Sequence, residues 1–295
     1  MMSSRLNPIR AIAIAAIVQA ISGAAPVLRA DNMDGTGGSV YVWSENGGWL
    51  NVQPGGPGGS GMQVNDFNVT GWLWGENIGW VSLSCRNTGS CGSVAYEVTN
   101  SGGSGVLAGY AWAENAGWID FRPAGAGVTV NAATGVFDGY AWSENVGWIS
   151  FGSTTALRGN PGTQDAAMTA FHIATQWRCV PAPPPPSGSP GLMVSKAAGN
   201  AALFWSSVPG ATGFDVVSGD LGVLHATGNF QLATQQCLAS HTPDPFRSDA
   251  DPVVAGQGRW FLVRAANCGG SGTYNDGTQI HSRDTGIQAS SHHCP

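Results

Sequence analysis

Aromatic, aliphatic and small residues alternate on either side of a recurring Glu-Asn-x-Gly tetrapeptide, a period of two that predicts β-hairpins. Four copies are visible: Tyr41-Val-Trp-Ser-Glu-Asn-Gly-Gly-Trp-Leu50, Trp72-Leu-Trp-Gly-Glu-Asn-Ile-Gly-Trp-Val81, Tyr110-Ala-Trp-Ala-Glu-Asn-Ala-Gly-Trp-Ile119 and Tyr140-Ala-Trp-Ser-Glu-Asn-Val-Gly-Trp-Ile149. Their Asn and Gly tolerate the positive φ that a tight reversal needs. Across the third turn, Trp112 and Trp118 become a cross-strand pair with Tyr110 on the same face, while Ala111, Ile119 and Phe121 point the other way. The other copies place Tyr41, Trp43 and Trp49, then Trp72, Trp74 and Trp80, and finally Tyr140, Trp142 and Trp148 in the same way. A further strand precedes the later copies, as in Gly127-Val-Thr-Val130 before Val136-Phe-Asp-Gly-Tyr-Ala-Trp142. Each unit therefore reads as a three-stranded β-meander that cannot bury itself alone, and the four copies are expected to stack or close on one another.

The first tryptophans, Trp43, Trp74, Trp112 and Trp142, are 31, 38 and 30 residues apart. The long interval holds Cys85 and Cys91, read here as an insertion pinned by its own disulfide, because Asn87-Thr-Gly89 can turn the chain back between them. Over residues 38 to 151 the pattern Gly-Tyr-Ala-Trp-Ser-Glu-Asn-Val-Gly-Trp-Ile-Ser-Phe resembles the tryptophan-rich repeats of exported bacterial proteins. The resemblance implies an exported bacterial protein and brings no activity with it.

The N-terminus carries its own address. Arg5 and Arg10 precede the apolar stretch Ala11 to Ile21, and small residues follow, which is the layout of a secretory signal peptide over residues 1–30, cut after Ala24 or Ala30. The apolar run is too short to span a bilayer. No second run of spanning length follows, so no transmembrane segment is expected in the mature chain. Six cysteines, Cys85, Cys91, Cys179, Cys237, Cys268 and Cys294, lie beyond it, an even number suited to disulfides in an oxidising compartment. The pairing of the last four is open.

Residues 31–178 thus form an expected repeat domain, ending in a closing strand within Ala170-Phe-His-Ile-Ala-Thr-Gln-Trp177. Residues 179–191, with Pro183 to Pro186 in a row, read as a semi-rigid linker. Beyond it, Ala201 to Trp205 and Phe214 to Val217 read as strands about a Pro209-Gly210 turn, and Arg259 to Asn267 reads as another. With Trp205 as core tryptophan, residues 192–295 resemble a fibronectin type III module, which implies a seven-stranded β-sandwich. Trp260-Phe261 stands where that family usually has tyrosine. The expected fold class is all-β throughout.

Composition narrows the chemistry. Only 10% of the 295 residues are charged, the net charge is −6 and Lys196 is the single lysine, so no basic surface is available for nucleic acid. Glu45, Glu76, Glu114 and Glu144 invite comparison with glycosidase carboxylates, but a residue that recurs with Asn46, Asn77, Asn115 and Asn145 in the same turn reads as architecture. Asp120 and Asp138 lack calcium-loop spacing, His281, His292 and His293 read as a solvated tail, and no nucleophile elbow, phosphate loop or dinucleotide fingerprint occurs. No cofactor, metal or catalytic set is expected.

The repeated rings have two possible uses. Packed between copies they form a tryptophan ladder, which the chain's need for buried area favours. Turned outward, with Glu and Asn beside them, they form a platform on which sugar rings stack. The first use fits a non-enzymatic exported or cell-surface scaffold whose fibronectin-like module contacts surface proteins. The second fits a multivalent polysaccharide-binding protein.

Overall fold

The computed structural model describes residues 32–35, 39–55, 61–152, 172–197, 200–251, 256–279 and 282–295. The signal-peptide segment and His281 lie outside the described residues. The protein is all-β, as its alternation predicts, with four short α-helices among the described residues.

Each Glu-Asn-x-Gly segment is the tip of an antiparallel hairpin. These are β1 (Tyr41–Ser44) with β2 (Gly48–Asn51), β5 (Trp72–Gly75) with β6 (Gly79–Ser82), β8 (Leu107–Ala113) with β9 (Gly117–Asp120), and β11 (Phe137–Ser143) with β12 (Gly147–Gly152). Registers pair Trp43 with Trp49, Trp74 with Trp80, Trp112 with Trp118 and Trp142 with Trp148. Hairpins also pair with one another, β2 with β5, β6 with β8 and β9 with β11, and β12 returns to β1. Eight strands therefore close into a barrel-like ring, which removes the unpaired edges that open hairpins would present.

A ring of eight strands is just wide enough to be filled by its own side chains. Val42, Leu50, Leu73, Val81, Ala111, Ile119, Ala141 and Ile149 point inward, and none is more than 2% exposed. The variable position of the turn plugs the near mouth with Gly47, Ile78, Ala116 and Val146. A Cβ on Gly47 would lie 2.3 Å from Ile78 Cδ1, so the largest plug residue fills the space left by the smallest. Towards the other end Phe121, Phe137 and Phe151 pack together, with ring centroids 5.2 and 6.2 Å apart.

Separate, stacked three-stranded meanders were the expectation, and the structure replaces them with shared strands. β7 (Val98–Asn100) pairs with just the Leu107 to Gly109 part of β8 and, on its other side, with Asn68 and Val69, while β10 (Val128–Val130) pairs with just the Phe137 to Gly139 part of β11. In the second copy β3 (Gln63–Val64) pairs with β4 (Asn68–Thr70), which runs on into β5. Beyond these points each long strand leaves the outer flap and joins the ring. The switch needs a glycine: at Gly139 φ is 93°, and a Cβ would sit 1.9 Å from the Gly127 carbonyl oxygen. Gly71 and Gly109 occupy the same bend. Among the described residues the first copy has no such flap strand, and Ile173 bridges Ser39. The expected closing strand is reduced to single bridges of His172, Ile173, Ala174 and Thr175 to Gly152, Ser39, Val136 and Met33.

Residues beyond 191 form two sheets. One holds β13 (Leu192–Ala197), β14 (Asn200–Trp205) and β17 (Phe246–Asp249), with β14 central. The other has the order β16 (Thr234–Thr242), β15 (Gly213–Asp220), β18 (Arg259–Asn267), β19 (Gly270–Ser271). Leu203, Trp205, Phe214, Val216, Leu238 and Val263 share one buried cluster drawn from both. Three helices that the sequence reading did not anticipate, α2 (Leu221–Thr227), α3 (Phe230–Ala233) and α4 (Arg283–Gln288), accompany a second cluster around Val217, Trp260 and Ile287. Trp260 meets Phe230 edge to face at 5.3 Å, which gives this departure from the fibronectin pattern a packing role.

Disulfides join Cys85 to Cys91, Cys179 to Cys268 and Cys237 to Cys294. The first is the expected local pair, made by the single-turn helix α1 (Cys85–Thr88). The third overturns the reading of the C-terminus as a solvated tail, since Cys294 is buried although His292 stays exposed. The second ties the barrel to the C-terminal sheets. Beside it Asp66 accepts from Trp177 Nε1 at 2.8 Å, Thr212 Oγ1 at 2.6 Å and the Cys268 N–H at 3.0 Å. The proline run lies against β18 and β19: Asn267 Nδ2 donates to the Pro184 carbonyl at 2.9 Å. The run expected as a semi-rigid linker is thus held as a strap against these strands. Among the described residues no helix is long and apolar enough to cross a membrane.

The bend glycine yields a stability test. Gly125 also has positive φ, 76°, but open space around its Cβ position, so Gly125→Ala is expected to cost about 1 kcal/mol from the left-handed backbone alone. Gly139→Ala adds a backbone collision, a further ~1–3 kcal/mol. Urea unfolding midpoints of the two variants should differ accordingly, and equal shifts would contradict the crowded bend.

Candidate functional site

Because the inward positions are taken by aliphatic side chains, the alternating positions of the same strands face out. All twelve repeat aromatics lie there. Tyr41, Trp49, Trp74, Tyr110, Trp112 and Trp118 are 38–50% exposed, and Trp43, Trp72, Trp80, Tyr140, Trp142 and Trp148 are half-buried. The buried ladder favoured from area considerations is therefore corrected. The inward positions of the eight hairpin strands are aliphatic or alanine, and the twelve rings lie on the outer face. Within each copy the rings meet edge to face, with centroids of Trp43 and Trp49 5.0 Å apart and those of Trp112–Trp118 and Trp142–Trp148 4.8 Å apart.

Pairing between copies arranges these rings in rows. Asn51 stands between Tyr41 and Trp74, Ser82 between Trp72 and Trp112, Asp120 between Tyr110 and Trp142, and Ser150 between Tyr140 and Trp43. Each seam thus sets a polar residue between an aromatic of one copy and the tryptophan pair of the next.

Asn and Glu of the motif mainly fasten neighbouring turns. Asn77 Nδ2 donates to the Gly47 carbonyl at 3.3 Å and Asn145 Nδ2 to the Ala116 carbonyl at 3.1 Å. The Glu45 and Asn46 N–H groups donate to the carbonyls of Trp148 and Val146, and those of Glu114 and Asn115 to Trp80 and Ile78. Every copy therefore rests on the one before it, around the whole ring. Glu114 Oε2 also accepts from the Trp80 N–H at 3.2 Å. The carboxylates of Glu76 and Glu144 are exposed and form no hydrogen bond or ion pair among the described residues. The four acids are spread around the rim, one per turn, and no pair is gathered into a cleft.

One seam differs from the other three. Between the third and fourth copies lies a groove of about 840 Å³, lined by Tyr110, Trp112, Trp118, Trp142, Asp120 and Glu144 and walled by Val94 to Glu97. The wall is the end of the segment containing Cys85 and Cys91. Tyr96 donates its hydroxyl to Ser82 Oγ at 2.9 Å and meets Trp118 edge to face at 5.4 Å, so the wall is fixed before any ligand arrives. Sequence reasoning missed Tyr96 and gave Asp120 no role. The signal was present: among Asn51, Ser82, Asp120 and Ser150, the residues that follow the aliphatic of each motif, only Asp120 is charged. Among the described residues no group of three or more His, Cys, Asp or Glu side chains is placed to hold a metal ion. No protein-family model and no curated protein matches the chain.

The two motif residues should separate in a stability measurement. Asn145→Ala removes an inter-copy hydrogen bond and is expected to cost about 1 kcal/mol. Glu144→Ala removes an exposed group and should stay within about 0.5 kcal/mol of the parent. Thermal unfolding of both variants checks this, and equal losses would contradict the division of labour.

Proposed function

We propose that this chain is an exported, non-catalytic adhesive protein that binds polysaccharide on the outer aromatic face of its repeat barrel. The carrying observation is the exposure of the repeated rings, interleaved at every seam with a polar side chain. Flat rings stack on the apolar faces of sugars, and the partly exposed Asn51 and Asp120 between them supply hydrogen bonds to hydroxyls, whereas Ser82 and Ser150 are buried. Large exposed apolar patches mark interaction sites in soluble proteins, and here nine of the chain's 12 tryptophans contribute to one. Export is supported by the N-terminal pattern and by three disulfides, which persist in oxidising compartments.

The C-terminal sheets, with three and four strands and Trp205 buried between them, support the fibronectin type III-like reading of residues 192–295. One observation there favours a protein contact as well. Met193, Phe204 and Phe246 form an exposed cross-strand row on the three-stranded sheet, with the two phenylalanine rings 4.8 Å apart. In this second reading the barrel holds the glycan and the C-terminal sheet meets a surface protein.

Intrinsic fluorescence of the full chain tests the main reading. Emission should be red-shifted and efficiently quenched by acrylamide, and a panel of bacterial and plant polysaccharides should contain at least one that protects it saturably. Blue emission with poor quenching, indifferent to every glycan, would leave the rings without this role.

A further inference from the structure

We propose that the seam between the third and fourth copies is a single specific site for a cationic glycan, a chain of sugars carrying free amines. The inference rests on the polysaccharide-binding reading and assigns it a place and a ligand class.

Four seams share one backbone plan, so what distinguishes one of them is side-chain chemistry. At this seam the polar residue between the rings is Asp120, where the others have Asn51, Ser82 and Ser150. Asp120 Oδ1 accepts from the Arg122 N–H at 2.8 Å, which orients the carboxylate without neutralising it. Glu144 lines the same groove with no hydrogen bond or ion pair among the described residues. Glu97 also borders it and pairs with Arg86, whose Nε lies 3.4 Å away and whose guanidinium it shares with Asp244. No Lys, Arg or His is among the lining residues.

Two carboxylates without a cation thus face a groove floored by Trp112, Trp118 and Trp142. The face of an aromatic ring is itself negative in its quadrupole and attracts an ammonium group. An aminated sugar satisfies both features, since its ring stacks on an indole while its ammonium group meets Asp120 or Glu144. A uronic acid would be repelled, and a neutral sugar would leave the carboxylates without a counter-charge. The volume, about 840 Å³, falls within the range of ligand-sized clefts. The fixed Tyr96 wall closes one side, a feature contributed by the disulfide segment found in the second interval alone. The site is therefore single, although the aromatic motif is fourfold.

Calorimetric titration of the full chain with four tetramers provides the test: β-1,4-linked glucosamine, the same chain N-acetylated, tetragalacturonate and tetralysine. Glucosamine tetramer should bind with one site per chain, at least tenfold tighter than the other three, and weaken when the pH rises past titration of its amines. Asp120→Asn and Glu144→Gln should each weaken it at least fivefold, whereas Asp251→Asn, which removes an exposed charge on the C-terminal part, should leave it unchanged. Equal binding of the acetylated tetramer would overturn the cationic assignment while leaving the polysaccharide reading intact. Tetralysine binding as tightly as the glucosamine chain, several sites per chain, or indifference to both carboxylate variants would also overturn it. If no tetramer binds and no polysaccharide in the wider panel protects the fluorescence, the parent reading falls with it.

Discussion

Closure of the hairpin ring is the constraint on which the rest of the barrel depends. Four hairpins of one sequence pattern can satisfy their edges only by pairing with each other, and four turns of nearly identical shape make this pairing cyclic. Asn77 reaches back to the first copy, Glu114 and Asn115 to the second, Asn145 to the third, and Glu45 and Asn46 return to the fourth. Each link is a hydrogen bond of ordinary strength, worth about 1 kcal/mol net. Their geometric effect is larger, because a ring missing one copy would expose two edges and open its core to water.

From closure follows the segregation of side chains. An eight-stranded ring is filled by its own inward side chains, here Val, Leu, Ile and Ala. The pleat leaves the alternate positions, where the tryptophans lie, on the outside. Half-exposed tryptophan surface adds little to the core, and stability is supplied elsewhere: by the aliphatic interior, by Phe121, Phe137 and Phe151, and by the Cys179–Cys268 crosslink to the C-terminal sheets. Rings not needed for the core are free to meet a ligand. The fourfold Glu-Asn pair belongs instead to the rim, where its hydrogen bonds run between copies.

Much of this was legible in the alternation of the sequence. The hairpins, the tryptophan pairs and the inward set of Ala111, Ile119 and Phe121 follow from a period of two and a turn tetrapeptide. The sense of the alternation was not legible, because both faces are apolar and either could be the core. What decides it is the diameter of the closed ring, a property of all four copies together. Closure itself was one of two options, and the glycines at 71, 109 and 139, which let a strand pass from flap to ring, resemble ordinary turn residues in a glycine-rich chain. The docked proline strap depends on partners more than eighty residues away, such as Asn267 for Pro184. Helices α2, α3 and α4 are too short to show a helical period.

Repetition also separates structural from functional information within the motif. Positions that hold the ring together must satisfy the same geometry four times, so Asn, Gly and the inward aliphatics recur with little freedom. The polar position at each seam has no such duty, and there the copies diverge to Asn51, Ser82, Asp120 and Ser150, with Asn51 and Asp120 partly exposed and the two serines buried. The disulfide segment, which lengthens one interval, stands beside the copy that carries the charged variant. Divergence at an outward seam, coincident with an added wall, is how a symmetric scaffold acquires a single site. The difference between copies, more than the motif they share, carries the chemistry.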